Sequence, residues 1–153
     1  MECPGSQTMI FEKNKADNES TGSIKSQLNQ WPIQLHLISP TAPYYQGTDV
    51  VLTADCVAYA LGGYHQNYLK GKSIAIACPK LDEGQEIYTD KITSWIDDAR
   101  INTLTIMIMQ VPCCSGLQQL AIDAMRNAKR KIPVKSIVVG LQGDILHEDW
   151  ITV

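Results

Sequence analysis

After Trp31-Pro32 the chain alternates short apolar runs, rich in β-branched residues, with longer stretches whose apolar positions recur at helical spacing. Five runs read as strands: Ile33 to Ile38, Asp49 to Ala54, Ser73 to Ala77, Leu104 to Met109 and Ser136 to Leu141. They are largely continuous rather than alternating in polarity, the pattern of parallel strands covered by helices on both faces. Gln85 to Ala99 places Ile87, Tyr88, Ile92, Trp95, Ile96 and Ala99 on one helical face. Leu117 to Ala128 does the same with Leu117, Leu120, Ala121, Ala124, Met125 and Ala128, so both stretches predict amphipathic helices. Val57 to Leu69 is a third helical stretch, interrupted by Gly62-Gly63, a pair that can end a helix early. The alternation predicts an α/β fold: a three-layer, doubly wound, Rossmann-like or flavodoxin-like parallel sheet of about five strands, with its strand order open.

Upstream of this pattern, Glu12 to Gln27 is almost wholly polar and reads as a mobile linker. Residues 1–30 are therefore expected to be an N-terminal extension, and 31–153 a single α/β domain. A chain of 153 residues with 44% hydrophobic and 19% charged residues is enough for one buried core. The net charge of -3, without a basic stripe, argues against a nucleic-acid partner. The cluster Arg126, Lys129, Arg130 and Lys131 falls where a helix should end, which suits the helix dipole. No apolar run approaches the roughly 20 residues that span a bilayer, and the N-terminus lacks a signal-like stretch, so a cytoplasmic protein is expected.

Five cysteines make an odd count without the spacing of a disulfide framework, which fits a reducing compartment and thiolate chemistry. Cys56, Cys78 and the pair Cys113-Cys114 each follow just after a predicted strand. In an open parallel sheet such ends share one edge, where ligand crevices form. Cys56 and the Cys113-Cys114 pair also stand at predicted helix starts, where backbone N–H groups and the dipole favour a thiolate. Pro79 and Pro112 keep the neighbouring thiols in turns. Converging soft thiolates suit an iron–sulfur cluster first and zinc second. Cys3, in the turn Cys3-Pro4-Gly5-Ser6, is a candidate fourth ligand, with the linker giving it reach.

Asp55, Lys80 and His65 are the further cofactor-binding candidates, because Asp55 precedes Cys56, Lys80 follows Cys78-Pro79, and His65 follows Gly62-Gly63. Asp82, after the same Cys78-Pro79, either brings charge or hydrogen bonding to a site at the strand ends or caps the helix beginning near Gly84. There is no GxGxxG after the first strand and no GxxxxGK[ST], so dinucleotide and triphosphate binding have no support.

Several strings together carry a resemblance. They are Cys3-Pro4-Gly5-Ser6, Ser26-Gln27-Leu28, Gln30-Trp31-Pro32-Ile33-Gln34-Leu35-His36-Leu37, Ser39-Pro40-Thr41-Ala42-Pro43-Tyr44, Ala54-Asp55-Cys56-Val57-Ala58-Tyr59-Ala60, Cys78-Pro79-Lys80-Leu81-Asp82 and Val111-Pro112-Cys113-Cys114. In this order they resemble the C-terminal module of ferredoxin-type iron–sulfur proteins of anaerobic bacteria and archaea, over essentially the whole chain. The resemblance implies a 4Fe–4S binding protein. The ferredoxin part that usually precedes the module, with its closely spaced cysteines, is absent here. The chain thus reads as a stand-alone version, or as a fragment whose ferredoxin half is supplied by another protein.

The expected function is an iron–sulfur protein of electron transfer or redox sensing, with ligands from Cys3, Cys56, Cys78, Cys113 and Cys114. Its expected partner is a ferredoxin-type protein or redox enzyme, and homo-oligomerisation is open. Two other readings stand beside it. One is a thiol or flavin redox enzyme; the other is a non-catalytic module that docks on a ferredoxin or redox enzyme and uses zinc, or nothing, for structure.

Overall fold

In the computed structural model, which describes residues 23–112 and 115–152, β1 (Asp49–Ala54) lies between two parallel neighbours, β2 (Ser73–Ala77) and β3 (Thr103–Met109). Leu52 faces Ala75 on one side and Ile106 on the other. β4 (Val134–Val139) continues the parallel sheet beside β3, and β5 (Ile145–Ile151) closes it antiparallel, for the order β2-β1-β3-β4-β5. The β2-β1-β3-β4 part is the flavodoxin-like arrangement, whose connections reverse direction between β1 and β3.

Helices α2 (Gln85–Asp97) and α3 (Ser115–Asn127) pack on each other over one face of the sheet. On that face the Ser136 hydroxyl donates to Gln118 Oε1 at 3.0 Å, and Ile106 and Leu52 follow Ser136 in register. Trp95, Ile92, Ile96 and Leu117 are fully buried, and burying an aliphatic or aromatic side chain of this size stabilises the fold by about 1.5–3 kcal/mol. Ile87 departs from its expected place on the apolar face and is exposed. The opposite face carries a thinner layer: α1 (Val57–Ala60), Leu61, Tyr64 and Leu69. Tyr64 anchors it by a 2.7 Å hydroxyl–hydroxyl bond to Thr53, and burial pushes its phenol up to about 12.

Two sequence expectations need correction. Val57 to Leu69 is not one helix: α1 is a single turn, and a separate π-helical turn spans His65–Leu69. Gly62-Gly63 separates the two, since glycine gains least from a helical backbone. Ile33 to Ile38 is not a strand. Only Gln34 bridges to Ile76; the chain then turns, with Leu37 N and Ile38 N both donating to Gln34 O. The flanking Pro32 and Pro40 cannot donate to a ladder. Lys91 Nζ holds the turn by donating to the carbonyls of Leu35, His36 and Ile38 at 2.8, 2.9 and 2.9 Å. The fifth strand is instead β5, which is exposed along almost its whole length and so leaves no hydrophobic period to read.

Residues before the expected boundary at residue 30 also contact the fold. Gln27 N donates to His65 Nδ1 at 3.1 Å, and Gln30 Oε1 accepts from Ile74 N at 2.6 Å. With Leu35 N on Ile76 O, Ile76 N on Ile33 O and the Tyr45 hydroxyl on Ile74 O, this segment satisfies the outer edge of β2. The basic cluster behaves as expected of a helix end: Lys131 Nζ donates to Met125 O in the last turn of α3. Among the described residues no helix is long and apolar enough to cross a membrane.

Gly143, in the loop between β4 and β5, has φ +91, and a Cβ there would run into the Ala60 carbonyl oxygen at the end of α1. Gly143→Ala is therefore expected to destabilise the fold by about 2 kcal/mol or more. A chemical-denaturation midpoint equal to that of the parent would refute this docking of the loop on α1.

Candidate functional site: thiols at the carboxyl ends of β1 and β2

Cys56 follows β1 by one residue and is the N-terminal cap of α1. Cys78 follows β2 directly. Because β1 and β2 pair in parallel with Ala54 opposite Ala77, both thiols leave the sheet at the same edge. Asp55 N donates to Ala77 O at 3.2 Å, which extends the pairing one step beyond the strands and fixes the two turns relative to each other.

The Cys78 turn is tightly specified. Its carbonyl accepts from Leu81 N at 3.2 Å and Asp82 N at 2.8 Å, and its own N–H donates to Asp82 Oδ2 at 2.9 Å. That oxygen also accepts from Gln34 Nε2 at 3.1 Å and from the Tyr88 hydroxyl. Burial, and next the bond to Asp82, push the Tyr88 phenol up. Asp82 thus ties the N-terminal segment and α2 to the thiol loop. Of the two readings of Asp82, the cap of α2 is not what it does: that cap is Gly84, with φ +71 and no side-chain hydrogen bond. Gln34 and Tyr88 escaped the sequence reading because a polar residue in an apolar run and an aromatic on a helix face look like ordinary packing.

The third strand end is brought to the same place. β3 is the other neighbour of β1, and Gly116, in the first turn of α3, lies so close to Pro79 that a Cβ there would be 3.2 Å from the Pro79 Cβ. The residue after Cys78 therefore touches the helix that begins just after Cys114. Ser115 Oγ donates to Pro112 O at 2.7 Å across the intervening pair. Cys113 and Cys114 themselves, like Cys3, lie outside the described residues.

Electrostatically the edge is acidic rather than basic. Partial burial raises the Asp55 carboxyl above the ordinary range, and Asp82 adds to it. Asp55 Oδ1 is buried without a hydrogen-bond partner among the described residues. The Cys56 thiol is pushed up, first by desolvation, although the residue is exposed overall, then by Asp55 and Cys78. The expected depression of its pKa by a helix start is absent because α1 is one turn long and the neighbouring carboxyl opposes it. Lys80 is exposed and makes no hydrogen bond or ion pair among the described residues. His65 stands in the crossover between β1 and β2, with Nδ1 accepting the Gln27 amide. Among the described residues no three His, Cys, Asp or Glu side chains form a group that could hold a metal ion.

Comparison with known proteins places this geometry in context. Residues 42–153 match a family model described as a Rossmann-like domain. An uncharacterized protein of Archaeoglobus fulgidus is 24% identical over 120 residues, which cover 78% of this chain and 83% of that protein. No solved structure matches.

Two outcomes check the site. Asp82→Ala removes the shared acceptor and is expected to cost about 1.5–3 kcal/mol while speeding alkylation of Cys78 in the folded protein. An unchanged Cys78 rate would show that the turn does not need Asp82. For Cys56, alkylation follows the thiolate, so the midpoint of its pH–rate profile should lie above the ordinary thiol range. Asp55→Asn should move that midpoint down, since it removes a negative charge; peptide mapping of the alkylated protein reads this directly, and an upward or null shift would count against the proximity.

Proposed function

The chain belongs to the Rossmann-like domain family, and we propose that it is an iron–sulfur protein, of the 4Fe–4S type its motifs resemble, that works in electron transfer or redox sensing. The observation that carries the reading is the contact of Pro79 with Gly116, which draws the Cys78 turn to the start of α3 beside the β1 end that bears Cys56. Cys56, Cys78 and one or both of Cys113 and Cys114 would hold the cluster, with Cys3 a candidate for the remaining position. A cluster bound there supplies one-electron chemistry tuned by its hydrogen bonds and exposure.

The residues present fit such a group. Soft sulfur donors come from adjacent strand ends, and the unpartnered Asp55 Oδ1 belongs to a carboxyl that burial makes easier to protonate. In that form it is a hydrogen-bond donor for a thiolate or sulfide. Tyr59 and Leu81, 93% and 79% exposed, stand three residues beyond Cys56 and Cys78. They offer apolar contact for a redox partner next to the site, as a ferredoxin-type protein or redox enzyme would need.

Other chemistry fits less well. A thiol enzyme wants a cysteine pKa lowered toward neutrality, whereas that of Cys56 is raised. A flavin phosphate would meet Asp55 and a helix of a single turn at the end of β1, in place of the N–H cradle that binds phosphate. Zinc, the second choice for such thiols, would leave the protein a colourless interaction module.

Protein purified and reconstituted without oxygen should be brown and hold iron and acid-labile sulfide, with Cys56→Ser and Cys78→Ser each losing most of both. Zinc alone, a yellow flavin, or no metal would overturn the proposal. Cys3→Ser then decides the fourth position: unchanged iron content and spectrum remove Cys3 from the ligand set.

A further inference from the structure

The two edges of the sheet are finished differently. The β2 edge is covered by the segment from Gln30 to Leu35, which uses the backbone groups of Ile74 and Ile76. Among the described residues the β5 edge has no such cover, and six of the seven β5 residues are exposed, with Ile151 half-buried. Ile145, Leu146 and Trp150 are exposed there by 37%, 42% and 63%. An edge strand of this length with apolar side chains is a template for pairing unless it is blunted. Its register shift lies at the loop end, opposite Val138 and Val139, and leaves His147 to Ile151 regular.

The order of residues says what fits it. Ile145-Leu146-His147-Glu148-Asp149-Trp150-Ile151 reads nearly the same in both directions by chemical type: two apolar residues, a histidine, an acid at the centre, an acid, and two apolar residues. Antiparallel pairing of two identical strands is two-fold symmetric, so position i faces position j and j faces i. Centred on Glu148, it sets Leu146 against Trp150 and His147 against Asp149, each pair twice, while the register shift turns Ile145 to the face opposite Ile151. Like charge arises only at the axis, and there Glu148 already carries a cation: Lys135 Nζ lies 2.8 Å from Oε1, and 5.0 Å from the centre of the Trp150 ring.

We propose that β5 pairs antiparallel with β5 of a second copy about Glu148, joining two five-stranded sheets into one of ten strands. The partner is a second copy because the strand is complementary to itself in both polarity and charge. The contact is small by the standard of stable interfaces, so the dimer dissociates on dilution. It is independent of the metal reading, since β5 lies at the opposite end of the strand order from β2 and three strands from β1.

Sedimentation of the full chain over a dilution series tests this. The expected limit is twice 17.0 kDa at high concentration. The double variant L146E/W150E sets glutamate against glutamate at both outer pairs and should raise the dissociation constant at least about tenfold, with far-UV circular dichroism unchanged because both side chains are exposed in one copy. L146K/W150E sets lysine against glutamate and should restore the dimer. A parent that stays monomeric throughout, including one that pairs only with a different protein, overturns the proposal. So does a dimer indifferent to L146E/W150E, or one that L146K/W150E fails to recover.

Discussion

Almost everything in this molecule hangs on β1 being paired on both edges and buried on both faces. Val50, Val51, Leu52, Thr53 and Ala54 are all buried, and Val50 to Thr53 have parallel partners on each side. With no water available, those pairings cannot be exchanged cheaply, so the register of β2 and β3 against β1 is rigid. The ends of three strands are then held level, and the turns that follow them start from fixed positions. The first of these turns carries Asp55 and Cys56, and the second carries Cys78.

What surrounds that edge is a set of ties between distant segments rather than a single loop motif. Asp82 gathers bonds from the Cys78 backbone, Gln34 and Tyr88, while Lys91 clamps the preceding turn by three carbonyls. His36 stacks on Tyr88 with ring centroids 4.2 Å apart, and its Nε2 meets the Glu83 carbonyl. Gly116 on Pro79 completes the contact from the side of α3. A shift in any one of these segments is thus transmitted to the Cys78 turn. Such support is what a site needs if its ligands are to be held in place by residues that do not themselves bind.

The two faces of the sheet are unequal, and this has consequences for the edges. The α2 and α3 side has a thick, fully buried layer, and the other side has one helical turn plus Tyr64 and Leu69. Neither layer covers β5 beyond Ile151, which is why its other side chains stay in solvent. At the other end the segment from Gln30 to Leu35 supplies a backbone cover without forming a strand of its own.

Local pattern alone determined the central elements. β1, β2 and the cores of β3, α2 and α3 are legible because each buries a continuous run or a helical stripe, and burial writes itself into composition. The strand-end cysteines were legible for the same reason: once strand direction is inferred, parallel pairing obliges their ends to share an edge. Tertiary structure decided the rest. Ile33 to Ile38 has the composition of a strand, but prolines on both sides and the Lys91 clamp make it a turn. β5 has no hydrophobic period because only its last residue, Ile151, packs on the core. The roles of Asp82, Gln34 and Tyr88, and the raised thiol of Cys56, depend on residues up to 54 positions apart meeting at one edge, which no local spacing can encode.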